Sequence, residues 1–260
     1  MCKNVIRSAA LVIAVEMLLA SGGPAWAMEE DFRVDSKVFV GSEKEPKSEN
    51  NTIFFRGVVY DYLQKPAEII VFDLPRGRFI LLDPVRRFKA EVTTKEVLTL
   101  NENLRQWAGT QTDAYLKFLG SPKFEERIEE RGGELLFESP WITYRVAARD
   151  AESDAIAEQY RQFSDWCARL NTRLNPGYKL ALARLELNEA LFKRRQVPQT
   201  ITLTVQSKRG FPFQKTVVRS EHQFVRHLVE SDRDRVAQTD QFLAIFQPVA
   251  FDDYQKRLEP

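Results

Sequence analysis

Between Thr52 and Val92 the chain carries four short runs rich in Val, Ile, Phe and Tyr, each closed by a turn, and this stretch limits the fold more than any other. The runs are Thr52 to Leu63, Glu68 to Asp73, Arg78 to Asp83 and Arg87 to Val92. Gln64-Lys65-Pro66, Leu74-Pro75-Arg76-Gly77 and Pro84-Val85-Arg86 separate them. β-Branched and aromatic side chains suit a pleated, half-buried surface, and links this short join antiparallel neighbours. The expectation is an antiparallel meander. In the last run Phe88, Ala90 and Val92 alternate with Arg87, Lys89 and Glu91, the pattern of a half-solvated strand. The first run differs. Read as one strand, it places Phe54, Val58, Tyr60 and Tyr62 on one face and Ile53, Phe55 and Val59 on the other. Such a strand is either covered on both sides or forms one wall of a cavity.

Helices are expected after the meander. Thr93 with Glu96 is a capping-box pair, and Val97, Leu100, Leu104 and Trp107 recur at helical spacing as far as Gly109. A short helix is expected over Asp113 to Leu119 and a long one over Ala151 to Leu170, with Ile156, Tyr160, Phe163, Cys167 and Leu170 inside. Another spans Leu180 to Arg195, and the last has Ser231 as N-cap and Val236, Leu243 and Phe246 inside. Further strands are expected at Lys37 to Val40, Glu134 to Phe137, Trp141 to Ala147, Thr200 to Gln206 and Lys215 to Leu228. Gly41 to Asn51 is polar and reads as a loop, and Asn175-Pro176-Gly177 and Arg209-Gly210-Phe211-Pro212 as breaks. The charged run Glu125 to Arg131 reads as a solvated face stitched by ion pairs, with Glu126 and Glu130 sharing a side if it is helical. The fold class is therefore α+β, an antiparallel sheet packed by several helices.

The first 27 residues read as a cleavable export signal. Lys3 and Arg7 precede an apolar run from Ala9 to Ala20, and Ala25-Trp26-Ala27 gives the small-x-small cleavage pattern. The run is about half the ~20 apolar residues of a spanning helix, and Glu16 interrupts it. Leu19-Ala20-Ser21 leads into Gly22 rather than Cys, so no lipid anchor is expected. Residues 28–260 then form a single domain, periplasmic or secreted, with no stable membrane span. The chain's 38 Lys and Arg and 37 Asp and Glu lose Lys3, Arg7 and Glu16 with the signal, which leaves a formally neutral domain. Neutrality argues against a nucleic-acid partner.

Chemical motifs are sparse. The two histidines, His222 and His227, lie five apart, so on one strand they face opposite ways and cannot share a metal. No Cys-x-x-Cys, His-Glu-x-x-His, Gly-x-Ser-x-Gly or phosphate-loop pattern occurs. No catalytic residue, metal site or cofactor is assigned. Cys167 reads as a small buried hydrophobe, and Asp252-Asp253 lacks calcium-loop spacing. Aromatics are the remaining handle. Phe54, Val58, Tyr60, Tyr62, Phe72 and Phe79 are the candidate ligand-binding residues, on the reading that the sheet and its helices leave an apolar groove for an acyl chain or similar ligand.

The runs Val58-Val59-Tyr60-Asp61, Ile69-Ile70-Val71-Phe72-Asp73 and Arg78-Phe79-Ile80-Leu81-Leu82-Asp83 each close on an Asp. In this the chain resembles the outer-membrane lipoprotein carrier (LolA/LolB-like) superfamily. That resemblance implies a curved half-barrel lidded by helices, with a concave apolar face that holds the acyl chains of lipoproteins. Phe163-Ser164-Asp165-Trp166 and Leu185-Glu186-Leu187-Asn188 are also similar to segments of uncharacterised exported proteins of planctomycete-type bacteria, which implies no activity. The functional expectation is an exported, non-enzymatic protein that binds a hydrophobic ligand or a lipoprotein. The alternatives are an envelope structural or protein-interaction module, and a hydrolase using carboxylates or His222.

Overall fold

The computed structural model describes residues 29–130, 132–175, 181–207 and 214–258. The expected signal at 1–27 and the breaks at Pro176-Gly177 and Arg209 to Pro212 lie outside them. The strands are β1 (Phe32–Val40), β2 (Ser48–Phe55), β3 (Val58–Leu63), β4 (Glu68–Asp73), β5 (Arg78–Asp83), β6 (Phe88–Thr93), β7 (Glu125–Ile128), β8 (Leu135–Glu138), β9 (Ile142–Asp150), β10 (Gln196–Ser207), β11 (Gln214–Val225) and β12 (Gln247–Pro248). The helices are α1 (Thr94–Thr110), α2 (Ala114–Gly120), α3 (Asp154–Leu174), α4 (Leu182–Lys193), α5 (Glu230–Ile245) and α6 (Phe251–Leu258).

Among the described residues the strands form one open, curved sheet in the order β12-β6-β5-β4-β3-β2-β1-β11-β10-β9-β8-β7. Every pairing is antiparallel except that of β12 with β6. The class is α+β, as the sequence implies. The meander has one more strand than expected, because Thr52 to Leu63 is a hairpin. Arg56 and Gly57 both take positive φ, 48° and 75°, the backbone of a two-residue turn that follows the twist of its strands. Phe54 therefore pairs with Val59, and Ile53 with Tyr60. Phe54 thus lies on the opposite face from Val58, Tyr60 and Tyr62.

Polar residues expected to form a loop, Ser48 to Asn51, build the first half of β2. Asn51 donates to Asp35 at 2.7 Å on one face, and Asn50 and Thr52 donate to Asp61 at 2.6 and 2.8 Å on the other. Cross-strand hydrogen bonds thus replace apolar packing, and only Gly41 to Lys47 stays outside the sheet. The charged run at Glu125 is an exposed edge strand, with Arg127 bridging to Glu138 across the pair at 2.7 Å. Edge charges of this kind discourage pairing with other chains.

The capping box of α1 is present: the Glu96 N–H donates to Thr93 Oγ1 at 3.1 Å, and the Thr93 N–H to Glu96 Oε2 at 2.8 Å. The buried stripe of α1 runs through Val97 and Ala108, while Trp107 is exposed. α5 starts at Val229, not Ser231, because Asp232 accepts from the Val229 N–H at 3.1 Å. β11 ends at Val225, so His227 is not on the strand of His222. Pro248 pairs with β6 and leads into α6, an element absent from the sequence reading.

Two apolar clusters lie on the inner face of the sheet. One joins Phe32, Phe54, Phe72, Phe79 and Leu81 to Val97 of α1, Phe163 of α3 and Tyr254 of α6. The other joins β8, β9 and β10 to Phe118 of α2 and Leu187 and Leu191 of α4. A third covers the outer face of the meander, where Ile53, Tyr60, Tyr62, Val71 and Leu82 pack under Val236 of α5 and Phe246. No helix among the described residues is long and apolar enough to cross a membrane.

Candidate ligand-binding site

Between the two inner clusters the packing thins, and the reason lies in residue size. Along β1 the inward residues are Phe32, Val34, Ser36 and Val38, and their partners on β11 run Phe224, His222, Ser220. Both strands shrink in the same direction. The facing stripe of α3 does so too, from Tyr160 and Phe163 to Ser164, Cys167 and Ala168. At the bulky end Phe32 stacks on Phe54 at 4.0 Å, and Phe54 and Phe72 meet Phe163 edge-on at 5.5 and 5.2 Å. At the small end sheet and helices enclose a cavity of about 340 Å³. Val34 and Val38 of β1, Ile142 and Tyr144 of β9, and Ile201 and Leu203 of β10 supply its apolar wall. Ala181, Ala183 and Arg184, around the start of α4, close the other side.

A polar strip crosses the sheet side of this cavity. Ser36 Oγ lies 3.0 Å from His222 Nδ1, and Ser220 Oγ lies 3.0 Å from His222 Nε2. With both ring nitrogens bonded, a neutral imidazole donates to one hydroxyl and accepts from the other. Burial, aided by the charge of Arg184, pushes His222 down to about 3. Such an imidazole is a poor proton acceptor at neutral pH. Further along the strip Asp61 accepts from Asn50 and Thr52; burial raises its pKa against those two bonds. Cys167 borders the cavity, and desolvation together with the nearby Asp61 carboxylate pushes its thiol up to about 12. Among the described residues no three His, Cys, Asp or Glu side chains are placed to hold a metal ion.

The six residues singled out from the sequence fall into two sets, and neither borders this cavity. Phe54, Phe72 and Phe79 are on the inner face but in the solid aromatic cluster, where Phe72 and Phe79 meet at 5.1 Å and Phe79 meets Trp166 at 5.6 Å. Val58, Tyr60 and Tyr62 are on the outer face with α5. There Tyr60 donates to Asp240 at 3.3 Å, and the Tyr62 hydroxyl lies 2.9 Å from Thr239 Oγ1. Of the residues that border the cavity, His222 and Cys167 were weighed from the sequence as chemical groups, Tyr160 and Phe163 as core, and Asp61 and Ser164 only within a family resemblance; Ser36, Asn50, Arg184 and Ser220 were not noted. The available signal was the joint taper of β1 and α3, which becomes visible once the two are known to face each other.

No protein-family model matches the chain, and no curated protein does. Among solved structures the chain is similar to a LolA superfamily protein from Nitrosomonas europaea, at 7% identity and a TM-score of 0.29, over 79% of this chain and 90% of that one. A likeness this weak cannot carry a function, which has to be argued from the cavity.

Proposed function

We propose that the protein binds the apolar chain of a lipid or lipoprotein in the cavity between the sheet and α3 and α4, as a non-enzymatic carrier. The observation that carries this reading is the joint taper of β1, β11 and α3. Protein interiors are packed to crystal-like density. Here the side chains leave about 340 Å³ unfilled between sheet and helices, with an opening to solvent. A purely structural module would fill the space with larger side chains. The volume is at the lower end of small-molecule sites, roughly 300–1,000 Å³. At roughly 30 Å³ for each water-sized group, it accommodates about eleven. That suits one acyl chain of moderate length. The low basicity of His222 weighs against a His-dependent hydrolase. Export through the 1–27 signal, with residues 28–260 acting as one periplasmic or secreted domain, belongs to the same reading, and N-terminal sequencing of the purified protein should begin at Met28.

The test is organic extraction of the purified protein with mass spectrometry, together with titration by a hydrocarbon-tailed fluorescent dye. Ala168 borders the cavity from α3, so Ala168→Trp should fill it. Wild type should release an apolar-chain compound or bind dye at one saturable site, and Ala168→Trp should lose that binding while keeping its circular dichroism. Undiminished dye binding by the variant would move the site elsewhere, and no binding by either protein would defeat the reading.

A further inference from the structure

Among the described residues Arg184 is the one Lys or Arg that borders the cavity, and its surroundings hold it in place. Its Nε donates to Asn188 Oδ1 at 2.9 Å, one turn along α4. Asn188 is itself fixed, because its Nδ2 donates to Asp165 Oδ1 at 2.8 Å. Asp165 in turn is held by Arg161 at 3.2 Å. The amide of Asn188 can therefore present only its oxygen to Arg184. This pins one edge of the guanidinium and leaves the remaining donors of its planar fork for the cavity, on the side of the Tyr160 hydroxyl. Among the described residues no carboxylate forms an ion pair with Arg184. The group beside it is neutral, since the charge of Arg184 helps hold His222 uncharged. The carboxyl of Asp61 borders the same cavity but forms no ion pair with Arg184. It accepts from Asn50 and Thr52 and lies on β3, three strands across from β11.

Resting on the carrier reading above, we infer that the ligand is an anionic amphiphile, whose acid group, a carboxylate or a phosphate, is bound by the Arg184 guanidinium while its chain lies along Val34, Ile201 and Leu203. A guanidinium matches the two oxygens of such a group with paired, charge-assisted hydrogen bonds. The low-dielectric walls strengthen those bonds relative to water.

The experiment compares decanoate, decanol and decylamine by calorimetric titration at pH 7.5, below their aggregation concentrations, on wild type, Arg184→Gln and Arg184→Lys. Wild type should prefer decanoate over decanol by about tenfold, the scale of one hydrogen bond to a charged group. Arg184→Gln should bind the two alike. Arg184→Lys should keep part of the preference, which separates loss of charge from loss of fold. Equal binding of decanoate and decanol by wild type overturns the inference and leaves the carrier reading standing. Tighter binding of decylamine overturns it in favour of a cationic head group at Asp61. Binding of none of the three defeats both. Decanoate and decyl phosphate, titrated in parallel, separate the two acid classes.

Discussion

Glu68 opens β4 almost fully buried, and its carboxyl accepts a hydrogen bond from the Tyr254 hydroxyl of α6 at 2.9 Å. Burial pushes it from 4.5 to about 7; the Tyr254 bond opposes the rise, and the nearby Asp61 and Asp83 add to it. The folded protein therefore holds the Glu68 proton more tightly than the unfolded chain does. The stability due to that proton is fully present below about pH 4.5 and is lost as the pH rises through about 7. At ~1.4 kcal/mol for each tenfold change in proton affinity, the loss amounts to about 3 kcal/mol. Glu68→Gln keeps the shape of the protonated acid and a carbonyl to accept from Tyr254, but has nothing to ionise. The expected outcome is a variant about 3 kcal/mol more stable than wild type at pH 8, with the gap closing toward pH 4. Urea denaturation of both proteins at half-unit steps from pH 4 to 8 measures this. A gap that stays constant across the range, or a variant less stable at pH 8, would refute the reasoning.

The Cys167 thiol, pushed up to about 12, should react with a disulfide reagent at pH 8 on the order of fiftyfold more slowly than an ordinary free cysteine, and at the ordinary rate in urea. A fast reaction in the folded protein would show that the thiol is not in the cavity wall. Gly57 has φ of +75°, and a Cβ there would stand 2.7 Å from the Glu29 carboxylate. Gly57→Ala should therefore cost about 1–2 kcal/mol for the left-handed backbone, read by chemical denaturation. Glu29→Ala in the same background should recover only the contact part, so full recovery would mean that the backbone is unstrained.

What the sequence revealed and what it hid divide along one physical line. Local signals were legible. The Thr93–Glu96 pair caps α1 as its spacing implies, and the clean alternation of Phe88, Ala90 and Val92 is strand β6. Parity across a tight turn was not legible, because Arg56 carries no composition signal for positive φ. Missing that turn placed Phe54 with Tyr60 and Tyr62, when the hairpin sends it to the other face. β2 was hidden because its polar residues are satisfied by Asp35 and Asp61, which are distant in sequence. The cavity is tertiary in the same sense. Ser36, Ser220 and Arg184 are unremarkable in their own segments, and they become a site when β1, β11 and α4 converge. The aromatic-rich meander drew attention because it is apolar, yet large rings fill space, and the hollow lies where Ser, Ala and Val come between the rings of Tyr144, Tyr160 and Phe163.

β1 sits in the middle of the sheet, between β2 and β11, and its Ser36 meets His222 across a separation of 186 residues. During synthesis, at about 5–20 residues per second, the flank of β1 that receives β11 stays unmatched for roughly 10 to 40 seconds after the strand emerges. Until then the N-terminal meander has an open edge and the cavity lacks one wall. The chain therefore cannot complete its native sheet from the N-terminus inward, and sheets closed by such distant pairings form slowly. On the export reading proposed above, such a late-closing sheet would keep the chain threadable until its last third has arrived.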